Sequence, residues 1–240
     1  MHINIEKIRQ MDYYGREAYK TLRTNIQFMG ADCKVIALTS CMPNEGKSSV
    51  AFHLAYSLAE DGKKVLFIDA DLRKSVLIGR YKISKGAKGL SHFLSGNAPV
   101  ENVLAHTNVD NLDLVVSGPV PPNPSELLGN RIMREFISAA RKIYDYIIID
   151  TPPLGSVIDT AVVARFCDGI ILVIAADENS YRFEQKIVEQ IEMTGCKLLG
   201  AVLNKVNISE KNGYYGKYYG KYYGKYYGKY YGSDNEDAED

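Results

Sequence analysis

A strand, a loop and a helix follow one another near the start of the chain, and no other feature limits its possible folds so tightly. Val35–Ser40 (VIALTS) is a short apolar run of strand formers. The loop Ser40-Cys-Met-Pro-Asn-Glu-Gly-Lys-Ser-Ser49 comes next, and Lys47–Glu60 (KSSVAFHLAYSLAE) then takes up helical spacing. On that helix Val50, Leu54, Ser57 and Leu58 fall on one side, with Ala51, Ala55 and Ala59 beside them, as close packing on a sheet requires. The loop matches the phosphate-binding pattern GxxxxGK[ST] at Gly46-Lys47-Ser48, with Cys41 where the first glycine would be. Glycine-lysine-serine alone is weak, and a helix start simply favours Gly and Ser. Strand, loop, GKSS and an alanine-rich helix together are strong. The backbone of Cys41, Met42, Pro43, Asn44, Glu45, Gly46, Lys47, Ser48 and Ser49 would turn its amides on the phosphates of ATP. Lys47 would reach the β and γ oxygens, and Ser48 would offer its hydroxyl to Mg²⁺.

The same theme recurs along the chain. Lys64–Ala70 (KVLFIDA), Leu112–Ser117, Tyr144–Asp150, Gly169–Ala176 and Leu198–Asn204 are near-continuous apolar runs. Helical stretches stand between them at about 130–142, 157–166 and 181–193, and 90–94 has a short helical core. Buried strands alternating with helices predict an α/β fold with a mostly parallel central sheet and helices on both faces. In such a sheet the chemistry lies beyond the C-terminal ends of the strands.

Two further clusters sit at those ends. Asp69-Ala-Asp-Leu-Arg73 closes the second strand. Alone the pair of acids reads equally well as a solvated turn. After a second apolar strand in a phosphate-loop chain, Asp69 and Asp71 can hold Mg²⁺ and take a proton from an incoming hydroxyl. Arg73 would balance their charge or clamp a phosphate. Ile147-Ile-Ile-Asp-Thr-Pro-Pro153 ends another buried strand in an acid, which makes Asp150 the Walker B candidate and a Mg²⁺ ligand through water. Pro152 and Pro153 stop the strand at once and suit a switch-like loop.

The C-terminus differs in kind. Of 18 tyrosines, ten lie between Tyr214 and Tyr231 in a Tyr-Tyr-Gly-Lys repeat that ends in Ser-Asp-Asn-Glu-Asp-Ala-Glu-Asp. Glycine at every fourth position opposes a helix, and the repeat has no aliphatic residue with which to build a core. The expected organisation is therefore an N-terminal helical region at 1–30, a phosphate-loop domain at 31–209 and a flexible tyrosine-rich, acidic tail at 210–240. The 29 basic residues balance 29 acidic ones, which argues against a general polyanion or nucleic-acid binder. Cys33, Cys41, Cys167 and Cys196 form no CxxC pair, a pattern suited to a reducing compartment. Cys41 reads as filler, with oxidation sensitivity as the sharper alternative. His2, His53, His92 and His106 never fall at metal-ligand spacing. The longest apolar run, Ile170–Ala176, is far below the ~20 residues of a membrane span, and the first residues have no signal-peptide core. The expected location is cytoplasmic.

The order phosphate loop, acids on the next strand, then acid plus proline matches the deviant-Walker ATPases related to MinD and ParA. A narrower likeness rests on four segments. Val65-Leu-Phe-Ile-Asp-Ala-Asp-Leu-Arg-Lys74 resembles the second Walker motif (A′) of the bacterial tyrosine kinases of capsule and exopolysaccharide synthesis. Gly118-Pro-Val-Pro-Pro-Asn-Pro-Ser-Glu-Leu-Leu128, Glu17-Ala-Tyr-Lys-Thr-Leu-Arg-Thr-Asn25 and the terminal tyrosine cluster are similar to segments of the same family. The resemblance implies an ATP- and Mg²⁺-dependent protein-tyrosine kinase in which Lys47 holds phosphates and Asp69 and Asp71 serve the metal and activate the tyrosine hydroxyl. Ser48 and Asp150 would complete the metal site, and Asn204 would recognise adenine. It implies phosphoacceptors at Tyr214, Tyr215, Tyr218, Tyr219, Tyr222, Tyr223, Tyr226, Tyr227, Tyr230 and Tyr231, used in trans. It implies a ring-like homo-oligomer built through Glu17, Lys20 and Arg23. The family pattern there is ExxRxxR, and Lys20 keeps the charge of the first arginine while losing its fork. The implied partners are the cytoplasmic tail of a membrane polysaccharide co-polymerase or adaptor, which would draw the chain to the inner membrane face, a cognate tyrosine phosphatase and further protein substrates. Tyr13, Tyr14 and Tyr19 are additional acceptor candidates.

Two rivals remain on the residues alone. A ParA- or MinD-like positioning ATPase would carry a signature lysine where this chain has Met42. A non-catalytic nucleotide-dependent scaffold for polysaccharide assembly would have no need of Lys47, Ser48, Asp69, Asp71 and Asp150 together.

Overall fold

In a computed structural model, which describes residues 2–6, 11–83 and 88–206, the apolar runs become the strands of one sheet. The elements in chain order are β1 (His2–Ile3), α1 (Tyr13–Gln27), β2 (Val35–Ser40), α2 (Lys47–Glu60), β3 (Val65–Asp69), α3 (Leu77–Tyr81) and α4 (Leu90–Leu94). A 3₁₀ turn at Val100–Asn102 leads to β4 (Ala105–Thr107), β5 (Leu112–Val115), α5 (Pro124–Leu128), α6 (Arg131–Ala140) and β6 (Tyr146–Asp150). The set closes with α7 (Asp159–Ala164), β7 (Gly169–Ala175), α8 (Tyr181–Met193) and β8 (Leu198–Asn204). Residues Met1–Asn204 form a single unit, so β1 and α1 belong with the sheet rather than to a separate region.

The sheet order is β1-β4-β5-β3-β6-β2-β7-β8, and every pairing is parallel except β4 with β5. The two-residue alternation of a strand sends successive side chains to opposite faces. Ile36, Leu38, Phe67, Ile148, Ile171 and Val173 therefore enter one core, with Phe52, Leu54 and Leu58 of α2. Val35, Ala37, Ile68, Ile147, Ile149 and Leu172 enter the other, with Met133 and Ile137 of α6 and Ile187 and Ile191 of α8. Helices thus cover both faces, and strands wet on neither read as unbroken apolar runs.

Local chemistry sets the helix positions. The Asp12 side chain accepts from the Gly15 amide at 2.8 Å and caps α1. Tyr19, Leu22 and Ile26 follow at helical spacing and pack α1 on the α2 side of the sheet. Arg23 adds a polar tether, donating to the Ser57 carbonyl at 2.9 Å and lying 3.3 Å from Asp61. At the far side, Gly89 touches the backbone of Gly118, and any Cβ there would collide with it. The amides of Leu90 and Ser91 then donate to Val116 and Ser117 at 2.7 and 2.9 Å, which clamps the proline-rich loop against α4.

The strands β2 and β8, the helices α2 and α8, and the short helix α4 stand where the sequence pattern predicts them. The strands β1 and β4 were not anticipated, since two or three residues at a sheet edge carry too little periodicity to read. The C-terminal repeat and acidic end, 210–240, lie outside the described residues.

Candidate active site

Three strands that are distant in sequence deliver the site. β6 lies between β3 and β2, and Asp69 stands opposite Asp150 in register, as does Leu38 two residues before the end of β2. The strand spacing of about 4.8 Å puts the two acids side by side, with the phosphate loop leaving β2 next to them.

The loop turns through left-handed backbone at Asn44 (φ 71°) and Gly46 (φ 90°), and Lys47 begins α2. Gly46 is needed for its conformation and for room, because a Cβ there would strike the carboxamide of Asn204. That carboxamide donates from Nδ2 to the Glu45 carbonyl at 2.8 Å, so the end of β8 braces the loop. The buried Glu45 carboxylate accepts from the Met42 amide at 2.7 Å and from Asn179 Nδ2, tying the loop to the segment after β7. The Cys41 side chain points down into the core, and burial first, then Glu45 and Glu184, push its thiol up to about 12. It stays protonated and acts as filler.

Lys47 is only 6% exposed. Its Nζ donates to Asp150 Oδ1 at 2.6 Å and to Ser48 Oγ at 3.2 Å, and lies 3.8 Å from Asp71 Oδ2. Asp69 accepts the Asp71 amide at 3.2 Å on Oδ1 and a short bond from the Ser75 hydroxyl on Oδ2. Burial, and then the neighbouring Asp150 charge, raise Asp69 above the usual carboxylate range, against the pull of Ser75 and Lys47. Asp150 is also raised by burial, although Lys47 and Ser48 oppose this. Asp71 and Asp150 face Lys47 and Asp69 lies beside Asp150, so carboxyl groups outnumber the lysine in this buried corner.

That excess and the hard oxygen donors fit a divalent cation such as Mg²⁺. Among the described residues no three His, Cys, Asp or Glu side chains converge into a ready-made cage. Mg²⁺ in nucleotide sites takes one or two carboxylates and shares the rest of its shell with phosphates and water, so the residues present suit it.

Arg73 turns to Asp159 and also feels the charge of Asp71. Its Nε and Nη2 donate to the buried Asp159 carboxylate at 2.8 and 2.9 Å, and Nη2 reaches Ser125 Oγ at 3.2 Å. Ser125 in turn donates to Asp159 at 2.6 Å. Burial opposes the Asp159 charge, but the bonds from Arg73 and Ser125 outweigh it and hold the group below the ordinary range. The A′ segment, the proline-rich loop and the start of α7 are thereby joined by one latch.

A family model described as an AAA domain matches residues 33–199. The chain is 48% identical over 205 residues to tyrosine-protein kinase CpsD of Streptococcus agalactiae, covering 84% of this chain and 90% of that protein. The chain belongs to the bacterial tyrosine-kinase family. It is an ATP-dependent protein-tyrosine kinase involved in the regulation of capsule or exopolysaccharide. The kinase domain of Escherichia coli tyrosine kinase ETK has a TM-score of 0.78 at 32% identity, covering 87% of this chain and 85% of that one. The septum site-determining protein MinD of Pyrococcus horikoshii, solved with Mg-ADP, has a TM-score of 0.63 at 25% identity, covering 74% and 72%. The fold of the kinase is accordingly the deviant-Walker P-loop type shared with MinD.

Several residues of the kinase site escaped the sequence reading. Asp159, Ser125 and the Glu45 side chain are three of them. Thr39, Thr151 and Thr160 are three more: Thr39 and Thr160 hydroxyls donate to the Pro152 carbonyl at 3.0 and 2.7 Å, and Thr151 donates to Leu38 at 2.8 Å. These buried bonds hold the first residues after Asp150 in place in this structure. Threonines in strand ends carry no periodic signal, and only their meeting across the fold shows the role. On α1, Glu17 and Lys20 pair with each other at 2.7 Å on the outer face. Tyr13 and Tyr14 are exposed, whereas the Tyr19 ring is part-buried, packs 5.4 Å from His53, and has its phenol pushed up to about 12 by burial.

Proposed function

We propose that the kinase moves the γ-phosphate of ATP onto the tyrosines of the C-terminal repeat of a neighbouring copy. The observation that carries this reading is the Lys47 amine held between Asp150 and Asp71, at the head of α2 and beside Asp69. Lys47 and the loop amides bind and orient the phosphates. Ser48 and Asp150, with Asp69 and Asp71 nearby, would hold Mg²⁺, which supplies neutralising charge to the phosphate oxygens. Asn204, beside Gly46, is assigned to adenine.

The phenol oxygen attacks the γ-phosphorus, the bond to the β-bridging oxygen breaks and ADP leaves. The phenol proton passes to a carboxylate and from there to solvent. Asp71 is the better placed acceptor, since both oxygens of Asp69 already take hydrogen bonds and Asp69 lies deeper.

The acceptors are Tyr214 to Tyr231 of a second chain in a ring-like homo-oligomer. Its contact would use the outer face of α1 with Glu17 and Lys20, while Arg23 keeps α1 seated on α2. No described helix is long and apolar enough to cross a membrane. Recruitment from the cytoplasm by the tail of a membrane adaptor supplies the link to polysaccharide export, and a tyrosine phosphatase resets the tail.

An anti-phosphotyrosine blot of the purified kinase with Mg-ATP tests this, beside Lys47→Ala and a chain ending at Glu210, with and without an adaptor tail. We expect signal only in chains that have both Lys47 and the repeat. Full signal in the truncated chain would remove the tail as acceptor, and full signal in Lys47→Ala would remove the site.

A further inference from the structure

A second cationic feature lies at the opposite end of the sheet from the phosphate loop. Arg134, Ile137, Ser138, Arg141, Arg165 and Phe166 line a cleft of about 320 Å³ between the ends of α6 and α7. Its place is fixed by Arg141, whose guanidinium donates twice to Asp168 at 2.8 and 2.9 Å. The Asp168 carboxylate accepts the amides of Lys34 and Val35, where β2 begins. The catalytic loop leaves the other end of that six-residue strand, about 20 Å away.

The composition of the cleft is one-sided. Four of its six residues, Arg134, Ile137, Ser138 and Arg141, recur at i, i+3, i+4 and i+7 and so share one face of α6. Three residues are arginine and none is acidic. Asp168 neutralises Arg141, which also donates to the Phe166 carbonyl at 3.1 Å. Among the described residues the side chains of Arg134 and Arg165 have no ion pair or hydrogen bond, although Arg131 on the same helix pairs with Glu135. A cation at a helix C-terminus complements the helix dipole, which accounts for Arg141 and Arg165 at the C-caps of α6 and α7. It does not account for Arg134 in the first turns of α6, nor for an aromatic ring and a buried isoleucine in the same lining.

We propose that this cleft is a docking site for a phosphotyrosyl side chain. A phosphotyrosine carries about −1.5 to −2 charges near neutral pH, which matches the two uncompensated arginines. Guanidinium forks bind phosphate oxygens in pairs, and the aryl ring would lie against Phe166 and Ile137. The cleft stands at the small end of the ligand-pocket range of about 300–1,000 Å³, a size for one aryl phosphate rather than a nucleotide. The kinase itself makes this group, so its products include the ligand. The inference needs only the tyrosine-kinase activity and holds whether or not the C-terminal repeat is the acceptor. Its consequence is that a phosphorylated chain is retained by a second kinase molecule at a distance from the site that modified it.

The test measures binding of a fluorescent Tyr-Tyr-Gly-Lys repeat peptide with one phosphotyrosine to the full-length chain. It compares wild type, Arg134→Ala/Arg165→Ala, Ser138→Glu and Lys47→Ala. The unmodified peptide, a phosphoserine peptide and inorganic phosphate serve as competitors, and an unrelated phosphotyrosine peptide gives the last arm. The phosphopeptide is expected to bind wild type and Lys47→Ala equally, and to weaken by about tenfold or more in the double arginine variant and in Ser138→Glu. Both changes are at exposed positions, and an unchanged melting temperature shows that the fold is intact. Tighter binding of the repeat peptide than of the unrelated one identifies another copy of the kinase as the source, and equal binding identifies substrates in general. Absence of binding to wild type, retention in both cleft variants, loss in Lys47→Ala, or equal competition by phosphoserine or inorganic phosphate would overturn the proposal.

Discussion

Gly46 and Asn204 are 158 positions apart in the chain, yet each limits what the other can be. A side chain at Gly46 meets two separate penalties, the positive φ of 90° and the Asn204 carboxamide. The first costs about 1 kcal/mol for alanine, and it persists whatever stands at 204. The second disappears if the carboxamide is removed. Gly46→Ala in wild type should therefore lower stability by more than Gly46→Ala in an Asn204→Ala background, a coupling of roughly 0.5–3 kcal/mol between touching residues. Denaturant unfolding of the four chains in this cycle measures it, and additive effects would show that the carboxamide does not brace the loop. At this scale the sequence is a good guide to chemistry and a poor guide to support. Lys47, Asp69, Asp71 and Asp150 could be found because motif and strand end coincide. Asn204 could be singled out at the end of its strand, but its bond to the Glu45 carbonyl could not be foreseen. Partners of Glu45, Arg73 and Thr39 depend on which strand lies next to which, and no local spacing encodes that.

Asp168 sits just before β7 and anchors two other elements there: the start of β2 through two amides, and the end of α6 through Arg141. Burial works against its charge, but Arg141 and the amides of Val35 and Lys34 win and hold its pKa below the usual carboxylate range. A depressed acid stabilises the fold fully above its unfolded value, and that contribution is lost as pH falls through the folded value. Asp168→Asn should cost about 1.5–3 kcal/mol near neutral pH, less the screening due to partial exposure. The gap between the two proteins should close as pH is lowered from the ordinary carboxylate range through the lower folded value of Asp168. Thermal melts across that range check it, and a gap that stays constant with pH would mean that the charge is irrelevant. The elements themselves were readable because a parallel sheet covered on both faces writes its strands as solid apolar blocks. The exception is informative: β4 runs against β5, has only three residues, and they pass from buried to exposed to part-buried.

Charge dominates at the scale of the whole molecule. The chain is formally neutral, with 29 basic and 29 acidic residues. Ten phosphotyrosines in the repeat would add about −15 to −20 charges beside the five acids of 233–240. Tails brought together in one assembly would then repel one another strongly over a Debye length of about 8–10 Å. We expect the assembly to shrink or dissociate as phosphorylation accumulates, and to recover in high salt, where that length falls to about 3 Å. Sizing with light scattering before and after reaction with Mg-ATP measures this. An unchanged mass in fully phosphorylated protein at low salt would disprove it.

The strand order has a further consequence, which concerns synthesis. β2 and β3 are separated in the sheet by β6, which the ribosome makes some 80 residues after β3. Until Tyr146–Asp150 emerges, the nascent chain holds two apolar strands with a strand-wide gap between them, and each has an unsatisfied edge facing that gap. The phosphate loop is complete by then, but the acid opposite Lys47 is missing. The site cannot be complete before the sheet closes, and the tyrosine repeat is made after every strand of that sheet. A chain stalled between β3 and β6 is therefore a sticky template and not yet an enzyme.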